Sequence, residues 1–366
     1  EISLRTYKPT VKGHAVQIKK VIKELEKAKR PIICAGGGVH LSDAVEELRD
    51  FAHKYKIPVV STMMGLGVMK TQDPMYFGMV GNNGKAYANR AMNESDLLIM
   101  VGARVADRAI SQPDLITENK ILVHIDVDPA EIGKNVGPTI PLVGDVKHIF
   151  NDFAKQEFTC THDEWINTLD QYRETMGVKR NPNPAYVDPA AFIGILSEEM
   201  KDDAIYVADV GQNQIWTVNN IGLKNGRFIT SGGMGTMGYS VPAALGAKAA
   251  RPDSEVVAIC GDGSFQMQFM ELATMIQHNI AVKVIVMTNN RLGMVRELQT
   301  NGYDNRLTAV FLDGSPDFIK LADSYGIPAK RITDIADADN AIDEMLSSEG
   351  CYLLEVRVAE NEKTIL

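Results

Sequence analysis

Short runs in which almost every residue is apolar recur along the chain at residues 31–35 (PIICA), 58–62, 97–101 and 121–127. Between them the apolar positions change spacing. Behind Asp43, with Glu46 three residues on, Val45, Leu48, Phe51 and Ala52 fall on one helical face, which predicts a helix opening at Asp43. Residues 17–29 alternate charged and apolar positions as a solvated helix does. Strands that are apolar on both faces, separated by amphipathic helices, imply a parallel sheet covered on both sides. The rhythm lapses after about residue 150, where "KRNPNPAYVDP" brings three prolines and mixed polarity. It then resumes. Strand patterns lie at 204–208, 227–230, 255–260, 282–288 and 351–358, and helix patterns at 242–250, 269–278, 317–325 and 338–347. The expected fold class is α/β with two domains, each a parallel sheet flanked by helices. The expected division is 1–170, a linker at 171–187, and 188–366.

Composition narrows the class further. A chain of 366 residues that is 45% hydrophobic and 23% charged can bury a full core. Its net charge of -9, with no long block of one sign, argues against nucleic acid as the main partner, because phosphate neutralisation needs a basic face. No apolar run is long enough to span a bilayer and no signal peptide is visible, so no membrane association is expected. Cys34, Cys160, Cys260 and Cys351 lack metal-site or CxxC spacing and read as packing residues in a reducing, cytoplasmic setting.

Candidate chemistry concentrates in "VVAICGDGSFQMQFMEL". A buried strand ends in Gly261-Asp262-Gly263, and a helical pattern follows almost at once. Gly261 and Gly263 let backbone N–H groups approach a ligand, the helix start favours phosphate, and Ser264 adds a hydroxyl. A carboxylate in such a cradle would repel a diphosphate unless a cation lay between them. Mg²⁺ suits this role, since it takes oxygen ligands from one or two protein groups and from the phosphates. One helix and one strand further along, the chain reaches Asn289-Asn290 at the end of the next strand pattern. GDG alone is better read as a tight turn. GDGS followed by helix, strand and NN points to a metal-bridged diphosphate.

"GDGSFQMQ…VMTNN" resembles the thiamine-diphosphate motif. With "DVGQNQIW", "TSGGMGTMGYSVPAALGA", "NNRLGMV" and "VGAR", nearly the whole chain is similar to the catalytic subunit of acetolactate synthase (acetohydroxyacid synthase). The resemblance implies a Rossmann-like middle domain and a thiamine-diphosphate-binding domain. It implies Mg²⁺ held by Asp262, Asn289 and the backbone carbonyl of Arg291. The diphosphate would be held by Gly211, Gln212, Gly261, Gly263 and Ser264. Met237 would lie beneath the cofactor rings, with Gly235 allowing close approach, Met294 near the aminopyrimidine, and Leu292 and Gly293 also binding the cofactor. Met237 and Gln212 are the residues it places closest to catalysis. Met267, Met270 and Met275 share a helical pattern and read as core.

Gly36-Gly37-Gly38 after the first strand invites a dinucleotide reading. The next strand, however, ends Ser61-Thr62-Met63-Met64 without the acid that NAD binding requires. The family resemblance implies FAD here instead, at Gly36, Gly37, Gly38, Thr62, Met63, Gly102, Ala103, Arg104, Arg108, Asp126 and Asp145. The chain departs from the family pattern at Asn82-Asn83, where Met-His is expected, and at Val105-Ala106, where Phe-Asp is expected. It departs again at Leu298, where biosynthetic members carry Trp.

The reaction so implied decarboxylates pyruvate on thiamine diphosphate and passes the hydroxyethyl unit to a second 2-keto acid, giving 2-acetolactate for branched-chain amino acid synthesis. A homodimer or tetramer and a small regulatory subunit are implied as partners. In this family a glutamate that contacts the aminopyrimidine comes from an N-terminal domain of a partner subunit. The chain opens at Glu1 with only the middle and diphosphate-binding patterns, so it reads as part of a longer subunit that is inactive alone. Alternative readings are a pyruvate oxidase, a 2-keto acid decarboxylase, a glyoxylate carboligase, or a non-catalytic cofactor-binding module.

Overall fold

A computed structural model of the chain describes residues 8–110, 116–177 and 182–364. It divides into two compact units, Glu1–Gly177 and Val178–Leu366. Residues 179–181 of the proline-rich connection lie outside the described residues.

The first unit is built on six parallel strands: β1 (Pro31–Ala35), β2 (Val59–Ser61), β3 (Tyr76–Met79), β4 (Leu97–Val101), β5 (Ile121–Asp126) and β6 (Ile140–Val143), in the order β3-β2-β1-β4-β5-β6. The apolar runs form its centre: β1 and β4 are buried along their whole length. One face packs on the helices Ala15–Leu25, Val45–Lys54 and Val146–Ala154. There Phe51 meets Phe150 edge-on at 5.3 Å and Phe153 at 5.4 Å. The other face takes Ala86–Glu94 and Asp163–Thr175, with Trp165 buried and its Nε1 donating to the Pro31 carbonyl at 3.1 Å. Helix Asp163–Thr175 occupies a stretch whose pattern suggested only a break in the rhythm, and its last turn enters the span expected to be linker. The helix expected to open at Asp43 runs instead over Val45–Lys54 with Ala44 before it. Asp43 takes a left-handed φ of 51° and pairs with Lys147 at 2.9 Å, so its carboxylate is spent on a tertiary ion pair rather than on a cap.

The second unit repeats the plan with β7 (Ile205–Ala208), β8 (Arg227–Thr230), β9 (Val256–Gly261), β10 (Lys283–Thr288), β11 (Ala329–Ile332) and β12 (Tyr352–Arg357), all parallel, in the order β11-β12-β10-β9-β7-β8. The chain leaves β7 for β8 on one side and reaches β9 on the other. The carboxyl ends of β7 and β9 therefore border the crevice where ligands bind in open α/β sheets. The core beneath includes Val207, Ala258, Phe265 and Met275, with Phe265 and Phe318 edge-on at 5.3 Å. Of the three methionines expected there, only Met275 is buried. Met267 and Met270 are exposed, because they precede the helix Glu271–His278 instead of lying on its inner face. Cys34, Cys260 and Cys351 are buried free thiols in or beside strands and Cys160 is half-buried, as the packing reading expects. No helix among the described residues is long and apolar enough to cross a membrane.

Candidate functional site

Strand β9 delivers Asp262 to the carboxyl edge of the second sheet, where a short helix, Asp262–Phe265, begins. The Asp262 side chain is buried, and its oxygens are gathered by main-chain donors. Oδ1 accepts from Gly263 N at 2.9 Å, and Oδ2 from Asn289 N at 3.2 Å and Asn290 N at 2.6 Å. Asn290 reaches this position through a left-handed φ of 56°. Burial pushes the Asp262 carboxyl up from 3.8 to about 6, outweighing the opposing pull of those N–H groups and of Arg357. No basic side chain bonds to it among the described residues, so a buried carboxylate stands without a bound counter-charge. That is the condition a cation relieves.

Asn289 stands beside it at the end of β10. Its Oδ1 accepts from Arg291 N at 3.1 Å and its Nδ2 donates to Gln212 Oε1 at 2.9 Å. Arg291 is fixed by a bridge to Phe311 and by ion pairs to Asp313 at 2.8 Å and Glu360 at 2.6 Å. The Asp262 carboxylate and the Asn289 amide oxygen, on adjacent strand ends, are oxygen donors of the kind that suits Mg²⁺.

The glycines define a close approach. A Cβ on Gly263 would lie 2.8 Å from Leu292 Cδ2 and 3.5 Å from Met237 Cε, so Met237 and Leu292 close over the GDGS turn. A Cβ on Gly293 would lie 1.8 Å from Gln212 Oε1, so the Gln212 side chain runs directly across Gly293. Gly211, at a φ of 150°, precedes the helix Gln212–Asn220. Ser264 Oγ turns back onto Gly261, donating to its carbonyl and accepting from its N–H, both at 3.1 Å. Gln212, Asn289, Asp262, Gly263, Leu292, Gly293 and Met237 are thus one connected group. Met294 lies next along the chain, at the start of the helix Gly293–Gly302, and is half-buried. Gly235, with a φ of 66°, sits in the exposed glycine turn, and a Cβ on it would meet nothing within 4 Å among the described residues.

Gln212 has a further set of partners. Its Nε2 donates to Glu297 at 3.0 Å and to the Glu362 carbonyl at 2.8 Å. The same tail segment accepts from Trp216 Nε1 through Lys363 O at 2.8 Å, and Thr364 donates to Glu297.

Sequence reasoning assigned no role to Asp209, yet it is the most heavily hydrogen-bonded carboxylate of this edge. Fully buried after β7, it accepts from Val210 N, Gly238 N, Tyr239 N, Ser240 N and Gln268 Nε2. The signal available in the sequence was an acid at the tip of an apolar strand, in "DVGQ", the same signal that drew notice to Asp262.

In the first unit, the residues expected to hold FAD also gather at the carboxyl edge of their sheet. The glycines, however, serve the chain itself. A Cβ on Gly36 would lie 2.2 Å from the Gly102 carbonyl and one on Gly38 2.7 Å from Gly102 Cα, while Gly36 N and Gly38 N donate to Val101 O and Gly102 O. Ala103 is buried and accepts from the His124 ring; Thr62 is buried and Met63 half-buried. Gly37 lies against Met64. Arg104 and Arg108 are exposed with no carboxylate partner among the described residues, which leaves positive charge on this edge. Asp126 caps a turn at Asp128 N. Asp145 caps the helix Val146–Ala154 and accepts from Ser42 Oγ at 2.7 Å, so its carboxylate is already occupied.

The folds of both units agree with the comparisons to known proteins. Residues 18–153 match the central domain of thiamine pyrophosphate enzymes and residues 209–356 match their C-terminal TPP binding domain. The chain belongs to the thiamine pyrophosphate enzymes. Within that class it is similar to acetolactate synthase large subunits. One from Lactococcus lactis is 36% identical across 100% of this chain. Two described as probable, from Methanococcus aeolicus and Methanocaldococcus jannaschii, are 39% and 38% identical across 98% and 97% of it. The chain spans 62 to 64% of the length of those three relatives, less than two thirds.

Proposed function

We propose that this chain is the cofactor-holding part of an acetolactate synthase large subunit. On this reading the whole enzyme decarboxylates pyruvate and joins the hydroxyethyl unit to a second 2-keto acid, forming 2-acetolactate. The observation that carries it is the buried Asp262 carboxylate, paired with Asn289 across adjacent strand ends and lacking a bound counter-charge. Thiamine diphosphate, when bound, supplies the carbon centre that stabilises negative charge after loss of CO₂. The chain's own residues do the rest of the holding. Asp262, Asn289 and the Arg291 carbonyl take Mg²⁺; Gly211, Gln212, Gly261, Gly263 and Ser264 receive the diphosphate. Met237 and Leu292 pack against the rings and exclude water, with Gly235, Gly293 and Met294 bordering them. Gln212 must exchange its present partners for a ligand oxygen.

Arg104 and Arg108 suit the diphosphate of FAD, with Gly36 to Gly38 and Gly102 shaping the chain beside it and Thr62, Met63 and Ala103 lining the approach. Asp126 and Asp145 stand at the same edge, each with side-chain oxygens already accepting from the chain. In the full-length enzyme the carboxylate for the aminopyrimidine is supplied by a further domain. The working enzyme is a cytoplasmic homodimer or tetramer that can take a regulatory subunit, with no nucleic-acid or membrane partner.

Calorimetric titration of the chain with thiamine diphosphate, with and without Mg²⁺, tests the reading. Binding that requires Mg²⁺ is expected, and Mg²⁺-independent binding or none would overturn it. Flavin absorbance retained after gel filtration with FAD tests the first unit. Product analysis after pyruvate feeding of the full-length enzyme separates acetolactate from acetaldehyde or acetyl phosphate, the products of the rival thiamine enzymes.

A further inference from the structure

We propose that Asp209, with Gln268 behind it, is the positioning residue of the cofactor site: its buried carboxylate sets the turn that carries Met237. The inference rests on the cofactor reading above. Five N–H donors converge on this one side chain. Oδ1 accepts from Val210 N at 2.9 Å and Gly238 N at 3.0 Å; Oδ2 accepts from Tyr239 N at 2.9 Å, Ser240 N at 2.7 Å and Gln268 Nε2 at 2.9 Å. No basic side chain bonds to it among the described residues, and it is wholly buried. A carboxylate so placed is tolerable only because donors replace its water, so the geometry of those donors is tightly held.

Three of them belong to the consecutive residues directly after Met237. Gly238 adopts a φ of 80°, a conformation that costs a side-chain-bearing residue, and the five-donor arrangement keeps it there. Gln268 extends the hold. Its Oε1 accepts from Val241 N at 3.0 Å and its Nε2 also reaches Ser240 Oγ at 3.2 Å. Gln268 lies shortly after the GDGS turn, and Met237 Cε reaches back toward Gly263 on that turn. The end of β7, the Met237 turn and the segment after Asp262 therefore meet on one carboxylate. Because Met237 faces the rings of the cofactor and Asp262 its diphosphate, loss of Asp209 should separate the two halves of binding.

The test uses the chain carrying Asp209→Asn, with Val207→Ala as a control that loosens the same buried strand without touching the turn. Mg²⁺ with thiamine diphosphate, and Mg²⁺ with inorganic pyrophosphate, are titrated by calorimetry. Melting temperatures and the carbon-13 methyl resonances of Met237 and Met275 are recorded alongside. For Asp209→Asn, thiamine diphosphate should bind about tenfold more weakly while pyrophosphate affinity holds. The Met237 resonance should move while that of Met275 stays. Val207→Ala should lower the melting temperature and leave both affinities unchanged. If Asp209→Asn does not fold, Gln268→Met, which removes one donor of five, should show the same split to a smaller degree. Equal weakening of both ligands, or an unmoved Met237 resonance, would overturn the proposal. Should the unaltered chain bind neither ligand, the cofactor reading fails, while the Met237 resonance still decides whether Asp209 sets the turn.

Discussion

Replacing Asp262 by Asn removes a buried charge while nearly preserving shape, and the structure sets the size of the effect. Burial holds the Asp262 carboxyl at about 6 against an ordinary 3.8, a difference of roughly two units, or about 3 kcal/mol at 1.36 kcal/mol per unit. The unfolded chain gives up this proton near pH 4, whereas the folded chain keeps it until about pH 6. In that window the folded state binds more protons, so the metal-free protein loses stability as pH rises through it, and the whole cost is present at neutral pH. At pH 4 the carboxyl is protonated and resembles the amide, which also turns one donor toward the N–H groups of Gly263, Asn289 and Asn290. In EDTA, therefore, the two proteins should melt alike near pH 4. By pH 7.5 the Asn variant should be more stable by about 3 kcal/mol, or roughly 6–12 °C for a unit of this size. Mg²⁺ should close the gap and, at about a thousand times its Kd, reverse the order. A ligand at a hundred times its Kd stabilises by about 2.7 kcal/mol, nearly the burial cost, and only the carboxylate form can collect it. Thermal melting at the two pH values with and without Mg²⁺ measures every quantity. A gap that does not change with pH, or equal stabilisation of both proteins by Mg²⁺, would refute the reasoning.

Further outcomes follow from single contacts. Asn289→Ala removes both the amide oxygen and the donor to Gln212, and should weaken Mg²⁺-dependent thiamine diphosphate binding about tenfold or more by calorimetry, with a small change in melting. Gly36→Ala would press a methyl group to within 2.2 Å of the Gly102 carbonyl and should cost about 1–3 kcal/mol in urea unfolding. Gly137→Ala, with nothing within 4 Å, should stay within about 0.5 kcal/mol. Phe153→Ala removes a fully buried ring from the aromatic cluster of the first unit and should cost about 3–5 kcal/mol, read by the same unfolding experiment.

The interior strands were legible because burial on both faces leaves only apolar residues. Three strands escaped that pattern for physical reasons. Strand β3 carries Gly78 at a positive φ and a register shift against β2, β6 holds an exposed Pro141, and β11 is a half-exposed edge with Lys330 and Arg331. Asp43 looked like a cap by spacing, yet the competing Lys147 lies 104 positions away, beyond any local pattern. The same limit hid Asp209, whose donors at Gly238, Tyr239 and Ser240 are 29, 30 and 31 positions on. Asp262 was readable because its glycines are its neighbours and Asn289 closes a single crossover. The three glycines after β1 looked like a ligand cradle. Gly36 and Gly38 are places where two main chains touch, and Gly37 lies against Met64, demands that the same letters express equally well.

Every candidate group in both units lies where strands end, and none where they begin. At the opposite rim of the second sheet, Arg251, Pro252 and Asp253 form an exposed turn leading into β9. That turn is a natural seam. A reporter domain spliced in there, or a chain reopened there with its old ends joined, would leave the Asp262 and Asp209 networks untouched. The second unit could then be labelled, tethered or rearranged without disturbing either network.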